Sequence, residues 1–291
     1  MQKLWAVLFG AVLLLSAGLV AVSPFINWWL PDNACSFGPD TDRLFNWILG
    51  VTAFFFFLTE GILVYALFKF RGEPGRRALF FHGSHRLELL WTAVPAVILL
   101  IIAFAQVEAW ANIKYQARMP VPDQVFEVSA RQFEWRLRYP LTGQMTEMIG
   151  SEGKPPSDWA QRAEAWNKAP QFDDVRVVNE VHTWKGAHVR LYLKTRDVIH
   201  SFFLPNMRIK QDALPGRTIP VWFQPIEANT KWDGNKQQWV IDKDKDWELA
   251  CAELCGWGHY KMRGRLFVHE SKADYDKWLE QARAEQNRKL P

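Results

Sequence analysis

The sequence predicts a membrane-anchored α+β protein, in which N-terminal transmembrane helices precede a β-rich domain that faces water. Of the 291 residues, 49% are hydrophobic, yet the mean hydropathy of −0.17 is slightly negative. The apolar residues must therefore be concentrated in blocks. These blocks lie before residue 111, and short alternating runs typical of strands follow Lys114.

Three apolar segments, residues 4–22, 44–68 and 89–110, are long enough to cross a bilayer as helices, for which about 20 residues are needed. Three such runs in succession leave no polar face to meet water, which argues against core helices of a soluble protein. We expect residues 44–113 to form a transmembrane helical hairpin. For residues 1–30 two alternatives stay open, an additional transmembrane helix and a signal peptide.

The charges of the loops predict the orientation of these helices. The loop after the second block has one acid, Glu73, and a cluster of bases, whereas the loop before it has one base, Arg43, and three acids. The bases are Lys69, Arg71, Arg76, Arg77 and Arg86, and the acids are Asp32, Asp40 and Asp42. By the positive-inside rule the basic loop is cytoplasmic. We therefore expect a multi-pass protein of a bacterial inner membrane, with everything after residue 110 in the periplasm.

The periplasmic part is predicted to be a β-sandwich or barrel, because β-rich runs alternate with Gly, Pro and Asp. The runs are residues 125–139, 175–194, 200–210, 217–225, 247–254 and 264–270. Two polar insertions, at about 143–172 and 227–246, are expected to be surface loops. Ser271 and Asp274 form a capping-box signature, which predicts a terminal helix within residues 271–291.

Charge and cysteine content exclude two classes of protein. The formal net charge is only +4, and no basic run is interleaved with aromatic residues, so nucleic acid is not an expected partner. The three cysteines are an odd number, and two of them lie close together, so no disulfide framework is implied.

The stretch "CAELCGWGHYKM" places Cys251, Cys255, His259 and Met262 within twelve positions. Zinc sites use Cys and His but have little use for a thioether, whereas thiolate, thioether and imidazole together suit copper. Two thiolates can bridge two copper ions, each of which then needs an imidazole. A second histidine must come from elsewhere, and His200 in "DVIHSFFLP" is the best candidate. The alternative is a structural disulfide between the two cysteines.

From about residue 44 to residue 270 the sequence resembles subunit II of the haem-copper cytochrome c oxidases. The pattern C-x-E-x-C-x-x-x-H-x-x-M, preceded by H-S-x-x-x-P and D-A-x-P-G-R, carries this resemblance. It implies a cupredoxin-like Greek-key β-barrel in residues 114–270 that holds a binuclear copper A centre. Cys251 and Cys255 would bridge the coppers, with His200 and His259 as terminal ligands and Met262 as one axial ligand.

The resemblance also implies roles for two carboxylates, Glu253 and Glu88. The backbone carbonyl of Glu253 would be the other axial ligand, and its side chain would reach a Mg²⁺ site shared with subunit I. Glu88 corresponds to the glutamate at the cytoplasmic mouth of a proton channel, although a membrane-interface residue is the alternative. Glu60, inside the second apolar block, is expected to contact subunit I, because a membrane carboxylate usually has a partner.

The implied function is electron input to a proton-pumping cytochrome c oxidase. Electrons would pass from a cytochrome c through copper A to subunit I, which reduces O₂ to water. This chain has neither a set of membrane histidines for haem nor a C-x-x-C-H motif, so we expect no haem in it. The alternatives are the copper A subunit of a nitric oxide reductase and a membrane-tethered copper chaperone.

The expected electron donor is a cytochrome c, and the sequence departs from the family at the position that receives its electron. "QFEW" places Phe133 where many members have a first Trp, and it keeps Trp135. Trp257 is a candidate replacement, with packing against a partner as the alternative, and all three aromatic residues are candidates for electron input. Residues 114–291 carry 28 Lys/Arg and 24 Asp/Glu, a net charge of +4 (28 − 24), which favours a dedicated cytochrome c over a basic mitochondrial one.

Overall fold

The computed structural model describes residues 2–26, 28–70, 72, 75, 77, 80, 82–150 and 155–289. Arg71, Glu73 and Arg76, three of the charges used to predict orientation, lie outside the described residues. The helices are α1 (Gln2–Val22), α2 (Gly38–Lys69), α3 (His85–Lys114), α4 (Thr142–Ile149), α5 (Trp159–Lys168) and α6 (Lys272–Arg288). The chain divides into two compact units, residues 1–31 with 40–109 and residues 32–39 with 110–291.

The first unit contains the three apolar helical segments. Each is long and apolar enough to cross a membrane by length and composition. Large apolar side chains point outward along them, among them Leu14, Phe54 and Phe104, which are 75%, 62% and 77% exposed. Outward-facing apolar side chains are suited to a lipid environment. The helices predicted at residues 44–68 and 89–110 are present, and both continue beyond the predicted limits.

The second unit is built from strands. They are β1 (Gln124–Arg131), β2 (Glu134–Tyr139), β3 (Val175–Val178), β4 (Glu180–Trp184), β5 (Val189–Thr195), β6 (His200–Leu204), β7 (Ile209–Ala213), β8 (Ile219–Phe223), β9 (Thr230–Asp233), β10 (Gln238–Ile241), β11 (Glu248–Cys251) and β12 (Arg263–His269). All six predicted β-rich runs therefore contain strands.

Two five-stranded sheets make up the body of this unit. One has the order β3-β2-β1-β5-β8 and the other the order β4-β12-β11-β6-β7. The pairs β1/β5 and β4/β12 are parallel, and the remaining pairs are antiparallel. Because sequence neighbours such as β4 and β5 lie in different sheets, the chain crosses between the sheets. The largest fully buried side chains include Phe126, Trp135, Tyr139, Leu191, Phe202 and Leu249.

The prediction that residues 143–172 form a surface loop is wrong, since the described part of this insertion contains α4 and α5. Both helices are amphipathic and bury side chains, among them Met145, Met148, Ile149 and Trp166. Arg138 of β2 lies 3.8 Å from the centroid of the Trp166 ring. Its guanidinium also binds the buried carboxylates of Glu127 and Asp174. A buried cation that is paired and stacked in this way fixes the insertion to β1 and β2.

The second insertion, residues 227–246, is also not a simple loop. It contains the hairpin β9–β10, in which Trp232 and Trp239 face each other with ring centroids 5.4 Å apart. Trp239 in turn packs edge-on against His269, with ring centroids 4.7 Å apart. Cross-strand aromatic pairs of this kind stabilise a hairpin, so the insertion is anchored through its aromatic residues.

The C-terminal helix α6 is present as predicted, and the Ser271 hydroxyl accepts a hydrogen bond from the Asp274 amide at 3.2 Å. It packs over two buried histidines. The His182 ring is stacked between the rings of Trp278 and Phe267, with centroids 3.7 Å and 4.3 Å away. His182 Nδ1 and His269 Nε2 are 3.2 Å apart, close enough for one ring to donate a hydrogen bond to the other.

These two histidines are buried as neutral groups. Burial lowers the pKa of His182 well below its ordinary value, and burial together with the neighbouring His182 lowers the pKa of His269 to about 2. Below the ordinary histidine pKa the unfolded chain therefore binds protons at these positions that the folded chain does not bind. The free energy of unfolding must rise with pH in that range and must fall as the pH drops.

We predict that the free energy of unfolding falls by about 1.4 kcal/mol per pH unit for each of these histidines below about pH 6.5. Urea unfolding of the purified protein between about pH 5 and pH 6.5, above the range in which most carboxylates titrate, measures this slope. His269→Gln should lower the slope by about 1.4 kcal/mol per pH unit, the contribution of one histidine. His188→Gln, which changes a partly exposed histidine paired with Asp123, serves as the control and should leave it unchanged. Equal slopes in His269→Gln and wild type would contradict the prediction.

Candidate metal centre

The clustered side chains lie where two neighbouring strands meet a loop. β6 begins at His200, β11 ends at Cys251, and the loop from β11 to β12 carries the remaining candidates. The two strands pair antiparallel, with Cys251 opposite Phe202. This pairing places His200 next to Cys251, with the imidazole Nδ1 3.8 Å from the Cys251 sulfur.

The loop from β11 to β12 folds back and brings Cys255, His259 and Met262 close to Cys251. The sulfurs of Cys251 and Cys255 are 3.9 Å apart, and the Cys255 sulfur lies 3.6 Å from His259 Nδ1 and 3.9 Å from the Met262 sulfur. On the opposite side of the sulfur pair from Met262, the Cys251 sulfur is 3.2 Å from the backbone carbonyl of Glu253. The two sulfurs thus form the middle of the cluster, with one imidazole and one weak donor at each end.

All three cysteines of the chain are free thiols. The alternative prediction of a structural disulfide between Cys251 and Cys255 is therefore wrong for this structure. The ligating atoms of His200, Cys251 and Cys255 all lie within 4.8 Å of one another, so these residues can hold a metal ion.

The cluster is shielded from water by the core behind it. His200 and Met262 are fully buried, and Cys255 is 3% exposed. The ring of Trp135 packs 6.2 Å from that of His200 and 5.4 Å from that of Phe202. Trp135 is itself fully buried, so it supports the histidine and is not a surface that a donor protein can touch. Its predicted role in electron input stays a prediction, because a buried indole can lie on the electron path without touching the donor.

A polar network orients the ligands, and the sequence did not reveal it. His200 Nε2 donates to the carboxylate of Asp197 at 2.8 Å, which leaves Nδ1 free to face the sulfurs. The other oxygen of Asp197 accepts from the Gln132 amide at 2.7 Å. The Gln132 side chain donates to the Cys255 carbonyl at 2.6 Å. The turn between β1 and β2 is thereby tied to both segments that carry ligands. An Asp three residues before the candidate His was the available signal for Asp197.

The two thiols have very different proton affinities. Burial raises the pKa of the Cys251 thiol, but hydrogen bonds from His200 and the Ser201 backbone outweigh burial and bring this pKa to about 6. Burial and the neighbouring Cys251 raise the pKa of Cys255 to about 12. Burial lowers the pKa of His200, but its contacts with Cys251 and Asp197 raise it above the ordinary value. Without a metal the pair therefore holds one thiolate, and a cation bound by both sulfurs would displace the second proton.

The donor set fits copper. Two thiolates, two imidazoles and a thioether are soft or intermediate ligands, which copper prefers, and hard cations such as Mg²⁺ take oxygen ligands instead. The protein side chains and one carbonyl surround the sulfurs, so the cluster leaves no room for a substrate and is suited to electron transfer. The fold and this site together define a membrane-anchored electron-transfer protein whose two thiols, two imidazoles and thioether would hold a soft metal.

Comparisons with known proteins identify the family. Residues 24–108 match the sequence profile described as cytochrome c oxidase subunit II, transmembrane domain, and residues 164–266 match that of the periplasmic domain. The chain belongs to the cytochrome c oxidase subunit II family. It is thus a subunit of a haem-copper oxidase complex, in which it takes in electrons and works with subunit I. The family's periplasmic domain is a cupredoxin-like copper A domain.

Individual relatives agree with this assignment. An alternative cytochrome c oxidase subunit 2 of Bradyrhizobium diazoefficiens is 28% identical over 93% of this chain and 90% of its own length. A cytochrome c oxidase subunit 2 of Cereibacter sphaeroides is 29% identical over 76% of this chain and 69% of its own. Among solved structures, the periplasmic domain of subunit II from Bradyrhizobium japonicum is 20% identical, with a TM-score of 0.39, over 57% of this chain and 98% of that one.

The remaining predicted residues lie apart from the cluster or at its surface. The side chain of Glu253 is exposed, whereas Phe133 is half-buried and packs against Trp257, with ring centroids 5.1 Å apart. Glu88 lies in the first turn of α3, where its side chain is 54% exposed and 3.7 Å from His85. Glu60 lies within α2.

We predict that Asp197→Asn weakens copper binding by about 10-fold to 100-fold, because loss of a carboxylate that orients a ligating histidine has costs of this order. Competition titration of the purified protein with a copper chelator measures the affinity. Asp123→Asn is the matched control, since Asp123 accepts a 3.0 Å hydrogen bond from His188 but lies outside the cluster. Equal affinities in the two variants would show that Asp197 does not position His200.

Proposed function

We propose that this chain holds a binuclear copper A centre, in which Cys251 and Cys255 bridge two copper ions. His200 and His259 are the terminal ligands through Nδ1, and the Met262 sulfur and the Glu253 carbonyl are the weak axial ligands. The observation that carries this proposal is the continuous chain of donors at 3.6–3.9 Å spacing, from His259 Nδ1 through the two sulfurs to His200 Nδ1.

The protein restricts the movement of these ligands. When bound, the copper pair supplies a site that gains and loses one electron. The buried positions of His200 and Met262, the packing of Trp135 and the Asp197 hydrogen bond each restrict ligand movement. Restricted ligands change little between oxidation states, which favours fast electron transfer. The electrons then pass to subunit I, where O₂ is reduced.

Further parts of the proposal rest on individual residues. The exposed Glu253 side chain is positioned to bind a Mg²⁺ ion at the contact with subunit I, since carboxylate oxygens are ligands that Mg²⁺ prefers. Other oxidase subunits complete the assembly, and Glu60 contacts subunit I. A cytochrome c is the electron donor. The three apolar helices cross a bacterial inner membrane, with the copper domain on the periplasmic face.

The matches to oxidase subunits favour the oxidase over the two alternatives from the sequence, the nitric oxide reductase subunit and the copper chaperone. The site supports the same choice. A chaperone needs exposed ligands that exchange readily, whereas His200, Cys255 and Met262 are buried and come from two different segments.

We predict that the copper-loaded protein contains two coppers and gives a paramagnetic signal shared over both ions, because two bridging thiolates couple them. Metal analysis and electron paramagnetic resonance of the purified protein measure both properties. Cys255→Ser should abolish the shared signal. Cys35→Ala is the matched control, since Cys35 is the third free thiol and is fully buried outside the cluster. One copper per chain, or a signal that survives Cys255→Ser, would disprove the binuclear centre.

We predict that Glu88→Gln slows oxygen consumption by the purified oxidase by about tenfold, since removal of a positioned proton-transfer group has effects of this order or larger. Copper content and the paramagnetic signal should not change, because the positive-inside rule places Glu88 on the opposite side of the membrane from the copper domain. These two measurements are the internal control. Unchanged oxygen consumption would assign Glu88 to the membrane interface instead of to proton uptake.

A further inference from the structure

We propose that electrons reach the copper centre through the exposed indole of Trp257, and not through Phe133, and that the surface around this indole fits a donor whose contact face is uncharged or acidic. This inference rests on the copper centre proposed above and deepens it. It concerns where a donor touches the protein and what kind of donor that is.

Phe133 packs beneath the metal-binding loop and does not offer a contact surface of its own. A Cβ atom at Gly258 would lie 2.4 Å from Cδ2 of the Phe133 ring, and one at Gly256 would lie 3.2 Å from its Cε1. Such distances mean that the ring rests directly on the loop backbone between the ligands Cys255 and His259. The half-buried Phe133 ring therefore supports the loop, and its edge meets the ring of Trp257.

Trp257 is placed to connect a donor with the copper ligands. Its side chain is 78% exposed, although exposed tryptophans are uncommon unless they serve a contact. It lies two residues after Cys255 and two before His259, so short covalent paths join its indole to one bridging and one terminal ligand. Among the described residues that the metal-binding loop places close to the cluster, Trp257 combines a large π system, high exposure and this covalent proximity.

Lys261 adds a positive charge at the indole. Its ammonium lies 4.7 Å from the centroid of the Trp257 ring, within the range of a cation–π contact. Within the part of the chain that the structure describes, Lys261 forms no salt bridge. The same ammonium lies 5.7 Å from the centroid of the Tyr260 ring, so its positive charge stands next to both exposed aromatic residues of the loop.

The surroundings of Trp257 are more basic than acidic. Residues 131–136, 195–199 and 252–263, which enclose the ligands, carry five Lys/Arg and three Asp/Glu, a net charge of +2 (5 − 3). Ion pairs engage residues of both signs, and they include Arg263 with Glu248, which lies outside these ranges. Glu134 binds both Arg131 and Arg136, at 2.8 Å and 2.6 Å, and Asp197 binds His200. Such a surface repels the basic rim of a mitochondrial cytochrome c and attracts an uncharged or acidic rim.

The proposed step moves one electron and no atoms. The ferrous haem iron of the donor becomes ferric, and the oxidised copper pair is reduced by one electron. No bond is formed or broken and no proton is transferred. The indole provides the path between the two centres and is not itself oxidised.

The experiment uses the purified oxidase complex and two protein donors that differ only in charge. These are reduced mitochondrial cytochrome c and the same protein with its lysines acetylated. Stopped-flow mixing measures the second-order rate constant for copper reduction by each donor. Hexaammineruthenium(II), a small reductant that needs no protein contact, reports on the centre itself. Equilibrium binding of the oxidised acetylated cytochrome to the oxidised complex gives a readout without electron transfer.

Trp257→Leu removes the π system, and Tyr260→Leu is the matched control, because Tyr260 is a second aromatic on the same loop that is 73% exposed. We expect acetylated cytochrome c to be the faster donor and the basic protein to show weak dependence on salt. Trp257→Leu should lower both the rate constant and the affinity for the acetylated donor by about tenfold, which is typical of loss of a tryptophan at the centre of a contact. Its reduction by the ruthenium complex should be unchanged, and Tyr260→Leu should behave as wild type.

Four results would overturn the inference while the copper centre stands. They are wild-type rates in Trp257→Leu, an equal loss in Tyr260→Leu, fast and strongly salt-dependent oxidation of the basic cytochrome, and rescue of Trp257→Leu by Phe133→Trp. Slower reduction of Trp257→Leu by the ruthenium complex would also overturn it, because the substitution would then act on the centre and not on the contact. Absence of the two-copper signal from the wild-type complex would instead refute the proposed function.

Discussion

The pairing of β6 with β11 is the constraint on which the rest of the site depends. It joins His200 and Cys251, which are 51 residues apart in the chain, through two neighbouring strands of one sheet. Both strands are held on two sides, because β6 also pairs with β7 and β11 also pairs with β12. The loop that follows β11 needs only to fold back on itself to bring Cys255, His259 and Met262 to the same point. The ligand geometry is thus determined by the strand pairing of the β-domain.

The fold brings together two thiols whose ionisations oppose each other. With the pKa of Cys251 near 6 and that of Cys255 near 12, a second thiolate is unfavourable beside the first. Hydrogen bonds nevertheless keep both sulfurs in place, since Asp197 and Gln132 tie the β1–β2 turn to both ligand segments.

Features with a local sequence signature could be predicted, and features that arise from distant contacts could not. The apolar helices, the six β-rich runs, the cap of α6 and the ligand spacing in residues 251–262 depend on neighbouring residues, and the structure contains them all. The choice of His200 rested on the need of the cluster for a second imidazole, because its partner Cys251 is remote in sequence. Gln132 was missed because its hydrogen bonds span 65 and 123 residues, whereas Asp197 lies three residues before His200 and had a local signal that was not used.

The insertion at residues 143–172 is another feature whose structure could not be predicted from local sequence. Residues 143–172 are polar on average, which predicted a loop. Their two helices are stabilised by apolar faces against β1 and by the buried pairing of Arg138 with Asp174 and Glu127. Composition does not reveal such pairing, because the arginine and the two carboxylates come from three separate segments. In the same way, the sequence does not reveal that Trp135 is fully buried behind His200.

The glycines on either side of Trp257 divide the metal-binding loop into fixed and interchangeable positions. At Gly256 and Gly258 a side chain would collide with Phe133 or Gln132, so these positions have almost no freedom to change. Leu254, Trp257 and Tyr260 point into solvent, and no ligand depends on their identity. A lineage that acquires a new redox partner can therefore replace the exposed side chain that contacts it, such as Trp257, while the backbone that carries the sulfurs and imidazoles is inherited unaltered.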